Sequence, residues 1–396
     1  MQRLRAASVG VAAVCLILPL GTGTAAAHDD DRGDRDALDV EVLAAGLDGP
    51  RGLTLDRHEN VWFAQAGRGG EGPCFGGAEG ATCLGDTGKV SVLREDDHKE
   101  GRRARDDDSW SVADVVAGLP SLGLQDSGEN AIGPSDVAFD RNGRLLATMG
   151  LGADPAVRTD ELGGSELART LGTVQRIDTR RGTARVFADV GRYESENNPE
   201  PEDLDSNPTS IAVKGNQRLV ADAGGNSLLR VRDDGDVETV FVFPKEAPVQ
   251  NPFAPPGVMI EADAVPSAVV RGPDGAFYVG QLTGFPFTPG TATVWRFAQG
   301  KKPTVYADGF TTIIDLAFDD DGNLLVLEFA HNGLLSGDPT GGLVQVSRRN
   351  PAAHTLLLTD PLVSPGGIVV DDDDAYISNH SAVPGEGEIL HVDLDD

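Results

Sequence analysis

An all-β six-bladed β-propeller, with four-stranded antiparallel blades and a ring closed by the N-terminal strand, is the fold this sequence predicts. Three observations carry the prediction. A hairpin motif recurs six times, a third and fourth strand follow each hairpin, and a spare strand near the N-terminus makes up for one missing at the C-terminus.

The hairpin reads as Pro, two small or polar residues, an alternating strand, a polar turn and a second strand. It begins at Pro50 (Pro-Arg-Gly-Leu-Thr-Leu-Asp, then Asn60-Val-Trp-Phe-Ala-Gln), Pro134, Pro208, Pro266, Ile313 and Pro365. The turns Asp140-Arg-Asn-Gly, Gly272-Pro-Asp-Gly and Asp319-Asp-Asp-Gly have hairpin chemistry. Third strands are expected to start near Gly88, Gly172, Ser227, Ala292, Gly342 and Glu388, and fourth strands at 112–116, 184–188, 238–243, 304–307 and 354–358. The sixth repeat runs out at Asp396, so Asp39-Val-Glu-Val-Leu-Ala-Ala-Gly-Leu is expected to complete its blade and remove the open edges that invite aggregation. A sandwich does not explain the sixfold period, and no long stretch has capped helical periodicity, which argues against an α/β barrel. Leu53, Val137, Ile211, Val269, Leu316 and Ile368 fall at inward strand positions and are expected to be core.

Three segments precede or make up the ring. Residues 1–27 read as a signal peptide, with Arg3 and Arg5, a short apolar run broken by Gly10 and Pro19, and Ala25-Ala26-Ala27 before His28. Residues 28–38 form an acidic tail and 39–396 the propeller. The chain carries a net charge of -30, which becomes -32 once Arg3 and Arg5 leave with the leader. Such an acidic chain is a poor partner for nucleic acid or an anionic membrane, and the mature part has no integral membrane segment. The acidity serves solubility outside the cell or steers a cationic ligand. The mixed-charge stretch from Glu95 to Asp108 reads as loop. Once the leader and its Cys15 are removed, Cys74 and Cys83 remain as an even pair in an exported chain, most simply one disulfide.

First-hairpin turns are short, whereas the insertions at 66–87, 118–133, 150–171, 191–207, 244–265 and 329–341 all fall on the other face. Loops of that length surround a working face, so a small-molecule or protein ligand is expected there, at the mouth of the channel. First-strand entries would offer Arg51, Asp136 and Asp315, together with Thr209, Ser210 and Ser267. Second-strand exits would offer Gln65, Asp222, Gln281, Glu328, Asn379 and His380. A ring of oxygens of this kind suits Ca2+ or Mg2+, with Asp222, Asp315 and Glu328 as metal candidates, or it is an ordinary hydrated channel. Glu328, His331 and His380 are the candidates for acid, base or ligand chemistry. Asp319–Asp321 and Asp371–Asp374 have a metal-like composition but lie in short turns on the opposite face. There is no phosphate loop, nucleophile elbow or His-Glu-x-x-His.

The Gly-Pro-x-Gly-Leu-x-Leu-Asp and Asn60-Val-Trp-Phe-Ala-Gln phrases, with Leu219-Val-Ala-Asp-Ala-Gly-Gly-Asn-Ser, resemble NHL-like and streptogramin-lyase-like propellers. More broadly, Val42-Leu-Ala-Ala-Gly-Leu-Asp-Gly-Pro-Arg-Gly-Leu, Asn207-Pro-Thr-Ser-Ile-Ala-Val and the 315–328 hairpin resemble the ScyD/ScyE family over the mature length. That resemblance implies export and the propeller fold. Gluconolactonase-type relatives would imply a channel metal on Glu and Asn, and lyase-type ones a catalytic His with Mg2+. Gln65 stands where a carboxylate would be wanted, and no Asn recurs at matching positions, so neither chemistry transfers directly. The sequence therefore favours an extracellular recognition propeller, with a metal-dependent hydrolase or lyase as the alternative.

Overall fold

A computed structural model describes residues 38–77, 80–95, 110–201 and 204–395. The leader, nearly all of the acidic tail and most of the 95–108 stretch lie outside the described residues.

Six antiparallel sheets form the blades; five run outward from the channel in chain order, and the sixth takes its outer strand from the N-terminal end. The inner and second strands are Pro50–Leu55 and Val61–Gln65 in blade one, and Pro134–Phe139 and Leu145–Met149 in blade two. Blade three has Pro208–Lys214 and Gln217–Asp222, and blade four Pro266–Arg271 and Phe277–Gln281. Blade five has Ile313–Phe318 and Leu324–Glu328, and blade six Gly367–Asp371 and Asp374–Asn379. The fourth strands fall where expected, at Trp110–Leu124, Thr183–Asp189, Val237–Val242, Thr304–Phe310 and His354–Leu358. Inner strands of consecutive blades are neighbours, and blade six adjoins blade one, so the ring is closed. The closing strand is Val40–Asp48, paired antiparallel with Pro384–Asp393 from Val40 opposite Val392 to Asp48 opposite Pro384.

Second strands are wedged between two neighbouring blades, and Val-Trp-Phe-Ala-Gln, Leu-Leu-Ala-Thr-Met and Leu-Leu-Val-Leu-Glu are buried at every position. This explains their continuous apolar runs, because a strand covered on both faces has no solvent side to alternate with. Their contacts bridge blades: Trp62, Val90 and Val92 of blade one pack with Val137, Leu145 and Met149 of blade two. Each such aliphatic side chain contributes about 1.5 to 3 kcal/mol when fully buried. The six expected core positions are buried as well, from 2% exposed at Val137 to 7% at Leu53.

The long insertions are more structured than the loops expected of them. In blade one, Gly80–Glu95 and Trp110–Leu124 run well past the ordinary strand length. A short strand, Cys74–Gly77, pairs with the first of them and places Cys74 directly opposite Cys83, where the two form a disulfide. The 150–171 insertion contains the single-turn helices Val157–Asp160 and Glu166–Arg169. The 191–207 insertion opens with the helix Val190–Asn197, whose Asp189 N-cap accepts from the Arg192 amide. The 244–265 insertion folds into a small hairpin of Val249–Gln250 and Met259–Ile260. Among the described residues no helix is long and apolar enough to cross a membrane.

Candidate functional site

In five blades the register slips within the first three or four residues of the inner strand: at Pro50/Leu53, Pro134/Asp136, Pro208/Ser210, Pro266/Ala268 and Ile313/Asp315. A bulge re-aims the side chains that it carries. Here the second residue of each strand (Arg51, Ser135, Thr209, Ser267 and Ile314) faces a cavity of about 110 Å³ at the long-loop end of the channel. Asn130, Asn207, Val265, Leu282 and Phe329, contributed by the long-loop segments and the exits of the second strands, complete the walls.

Among the described residues Arg51 is the one charged group lining this mouth. Its Nη1 donates to Ser381 Oγ at 3.4 Å and its Nη2 to the Ala131 carbonyl at 3.1 Å. No carboxylate among the described residues lies within ion-pair distance of it. Burial lowers its pKa to about 10, which still leaves it fully cationic at neutral pH. The remaining guanidinium donors are available to a ligand.

The third position of each repeat, counted from its Pro or from Ile313, sits one step further down the channel: Gly52, Asp136, Ser210, Ala268, Asp315 and Gly367. Asp136 and Asp315 belong to blades two and five, which stand on opposite sides of the six-membered ring. Asp136 accepts from the Val137 amide at 2.7 Å, the Ile211 amide at 2.8 Å and Ser210 Oγ at 2.9 Å. Asp315 accepts from the Leu316 amide at 2.8 Å and the Ile368 amide at 2.9 Å. Each carboxyl thus clips its own strand to the next blade. Burial raises both pKa values, and the negative charge of Asp136 raises Asp315 further.

The second-strand exits are placed otherwise than the sequence suggested. Gln65, Asp222, Gln281, Glu328 and Asn379 are all buried, and none lines a channel cavity. Four of them accept from the backbone just ahead of their own blade's inner strand: Gln65 from the Asp48 amide, Asp222 from Asn207, Glu328 from Thr311 and Asn379 from Val363, at 2.6 to 3.0 Å. Gln281 accepts instead from Thr293 Oγ1. These side chains fasten the loops within each blade. Asp222 also takes Ser206 Oγ at 2.9 Å and the Gly225 amide at 3.2 Å, and burial pushes it up to about 6. One sequence signal did point this way: Met149 holds the same slot in blade two, and a ring of water-facing oxygens has no use for a Met.

His331 Nδ1 bonds Glu328, whose pKa burial raises, and His380 Nε2 lies 3.9 Å from Glu388. Neither histidine lines the mouth. The metal candidates do not converge either. Asp222 and Glu328 direct oxygens at their own backbone, Asp315 sits at the channel waist, and among the described residues no three His, Cys, Asp or Glu side chains group as a metal site. Such a site needs several protein oxygens converging on one point, with water completing the shell, and the described residues bring no such set together for a channel Ca2+ or Mg2+ of the gluconolactonase or lyase kind.

No protein-family model matches the chain, and no curated protein matches it. Solved structures do match across 90% of its length. A gluconolactonase from Xanthomonas campestris is 11% identical with a TM-score of 0.51, the match covering 89% of that chain. A protein of unknown function from Bacteroides thetaiotaomicron is 10% identical with a TM-score of 0.51 over 76% of its length. Virginiamycin B lyase from Staphylococcus aureus is 14% identical with a TM-score of 0.46 over 99% of its length. For the two structures at a TM-score of 0.51 the likeness, at about a tenth identity, is one of fold.

Proposed function

We propose that the protein is an exported recognition propeller that binds the anionic end of a small-molecule or protein ligand at the long-loop mouth. The observation that carries this reading is Arg51, a half-buried guanidinium at the mouth of the channel with no carboxylate partner among the described residues. A buried charge left uncompensated costs stability unless a partner arrives, and planar donors in a fork are suited to a carboxylate. Apolar walls from Val265, Leu282 and Phe329 would seat the carbon skeleton behind it. The leader at residues 1–27 and the resemblance to the ScyD/ScyE family support export. The metal-dependent alternative lacks a convergent donor set among the described residues.

Titration of the full mature chain with acetate, propionate and benzoate tests the reading by calorimetry. Binding to the native protein that Arg51→Met abolishes, with the melting temperature of the variant equal to or above that of the native protein, is the expected result. Equal binding by both proteins would reject the assignment. Mass analysis of protein from the culture medium should find a chain starting at His28.

A further inference from the structure

A second and larger cavity, about 480 Å³, occupies the channel on the short-turn side and shares no lining residue with the Arg51 mouth. Its walls are the inner strands themselves; Leu55, Phe139, Val213, Phe318 and Val370 are among the lining residues, and the surface turned to the cavity is more polar than apolar. At its inner end stand Asp136, Asp315 and Ser210. Two half-buried carboxyls on a channel wall without a countercharge are unusual, because withdrawing a carboxylate from water without a partner is costly. Neither Asp136 nor Asp315 has a Lys, Arg or His within ion-pair distance among the described residues. Among the described residues the one cation lining the cavity, Arg271, is exposed and sits three residues beyond Ala268, about 10 Å along its strand.

The chemistry of the waist selects the kind of cation that would fill it. The inner strands turn amide N–H groups toward this level, and both carboxyls already accept from them. Among the described residues no third His, Cys, Asp or Glu joins these carboxyls, so the level offers a metal ion few protein ligands. A primary ammonium needs only two or three acceptors, and the carboxylate lone pairs left over suffice. We infer that the short-turn cavity is a binding site for an organic cation, a primary ammonium facing Asp136 and Asp315 with its apolar chain lying along the inner strands. The surrounding rim favours the approach of such a ligand: Asp319, Asp320 and Asp321 with Asp371–Asp374 outweigh Arg57, Arg141 and Lys214 on the short turns. This site does not rest on the reading of Arg51.

Calorimetric titration of the mature protein with hexylammonium chloride, 1-hexanol and CaCl2 in parallel tests the inference. Hexylammonium should bind about tenfold or more tightly than 1-hexanol, since the ammonium gains a charge-assisted bond that the alcohol lacks. Asp136→Asn and Asp315→Asn should each weaken it by about tenfold or more, while Arg51→Met leaves it unchanged. The pH profile of the native protein gives the same answer without any variant. Asp136 and Asp315 are the titratable groups at this level, since Gly52, Ser210, Ala268 and Gly367 supply the facing strands. Their raised pKa values mean that hexylammonium affinity should fall as pH drops from 8 to 5, roughly the range over which such carboxyls take up protons. Equal affinity for 1-hexanol, a flat pH profile, stoichiometric Ca2+ binding that excludes the amine, or no hexylammonium binding at all would each overturn the proposal.

Discussion

Asp222 shows how one buried side chain can hold a loop and tune stability together. It is fully enclosed, takes donors from Ser206, Asn207 and Gly225, and titrates near 6 rather than in the ordinary carboxylate range. A carboxyl whose folded pKa is raised binds its proton more tightly in the native state than in the unfolded chain. Its contribution is therefore favourable at low pH and declines as pH rises from about 4 to about 6. Asp222→Asn should flatten that part of the stability profile. At pH 7 it should cost about 1 to 3 kcal/mol, because the amide group presents donors to donors. Urea melts across that pH range read both effects.

The element that departs furthest from the common blade is the extended hairpin of Gly80–Glu95 and Trp110–Leu124, braced by Cys74–Gly77. The Cys74–Cys83 bridge closes a short loop on a directly opposed strand pair, so its main effect is to restrict the unfolded chain. Replacing both cysteines by serine should lower unfolding free energy by about 2 to 3 kcal/mol. The pair lies outside both channel cavities, so binding at either should persist in the variant. A loss of carboxylate binding on reduction would show that this hairpin shapes the mouth.

At the scale of the whole molecule, stability depends on closure. Val40–Asp48 is the outer strand of a sheet whose other three strands come from the far end of the chain. Deleting residues 39–45 should expose the Pro384–Asp393 edge and unpack Leu43 and Ala44 from the cluster around Phe63 and Ile389, lowering the melting temperature severely. A truncated protein with an unchanged melt would mean that the ring holds without its last strand.

The ring, the blade order and the closing strand were all legible in the chain, because they rest on a sixfold recurrence of strand and turn signals that each blade repeats locally. The disulfide was legible too, from a close even pair of cysteines. The site was legible only in part. Strand alternation identifies which residues are polar at an entry or an exit, but not whether a given oxygen faces the channel or its own backbone. The slip at the start of five inner strands sends Arg51 to the mouth and leaves Asp136 and Asp315 at the waist. Gln65, Asp222, Glu328 and Asn379 meet amides that arrive only when the preceding loop folds back onto the blade. That meeting is between residues some 15 to 17 positions apart and depends on tertiary packing. The sequence by itself therefore determined the architecture, through patterns that repeat along the chain. Tertiary structure alone decided which polar groups were left without partners, because satisfying a buried donor or acceptor depends on what the fold brings beside it.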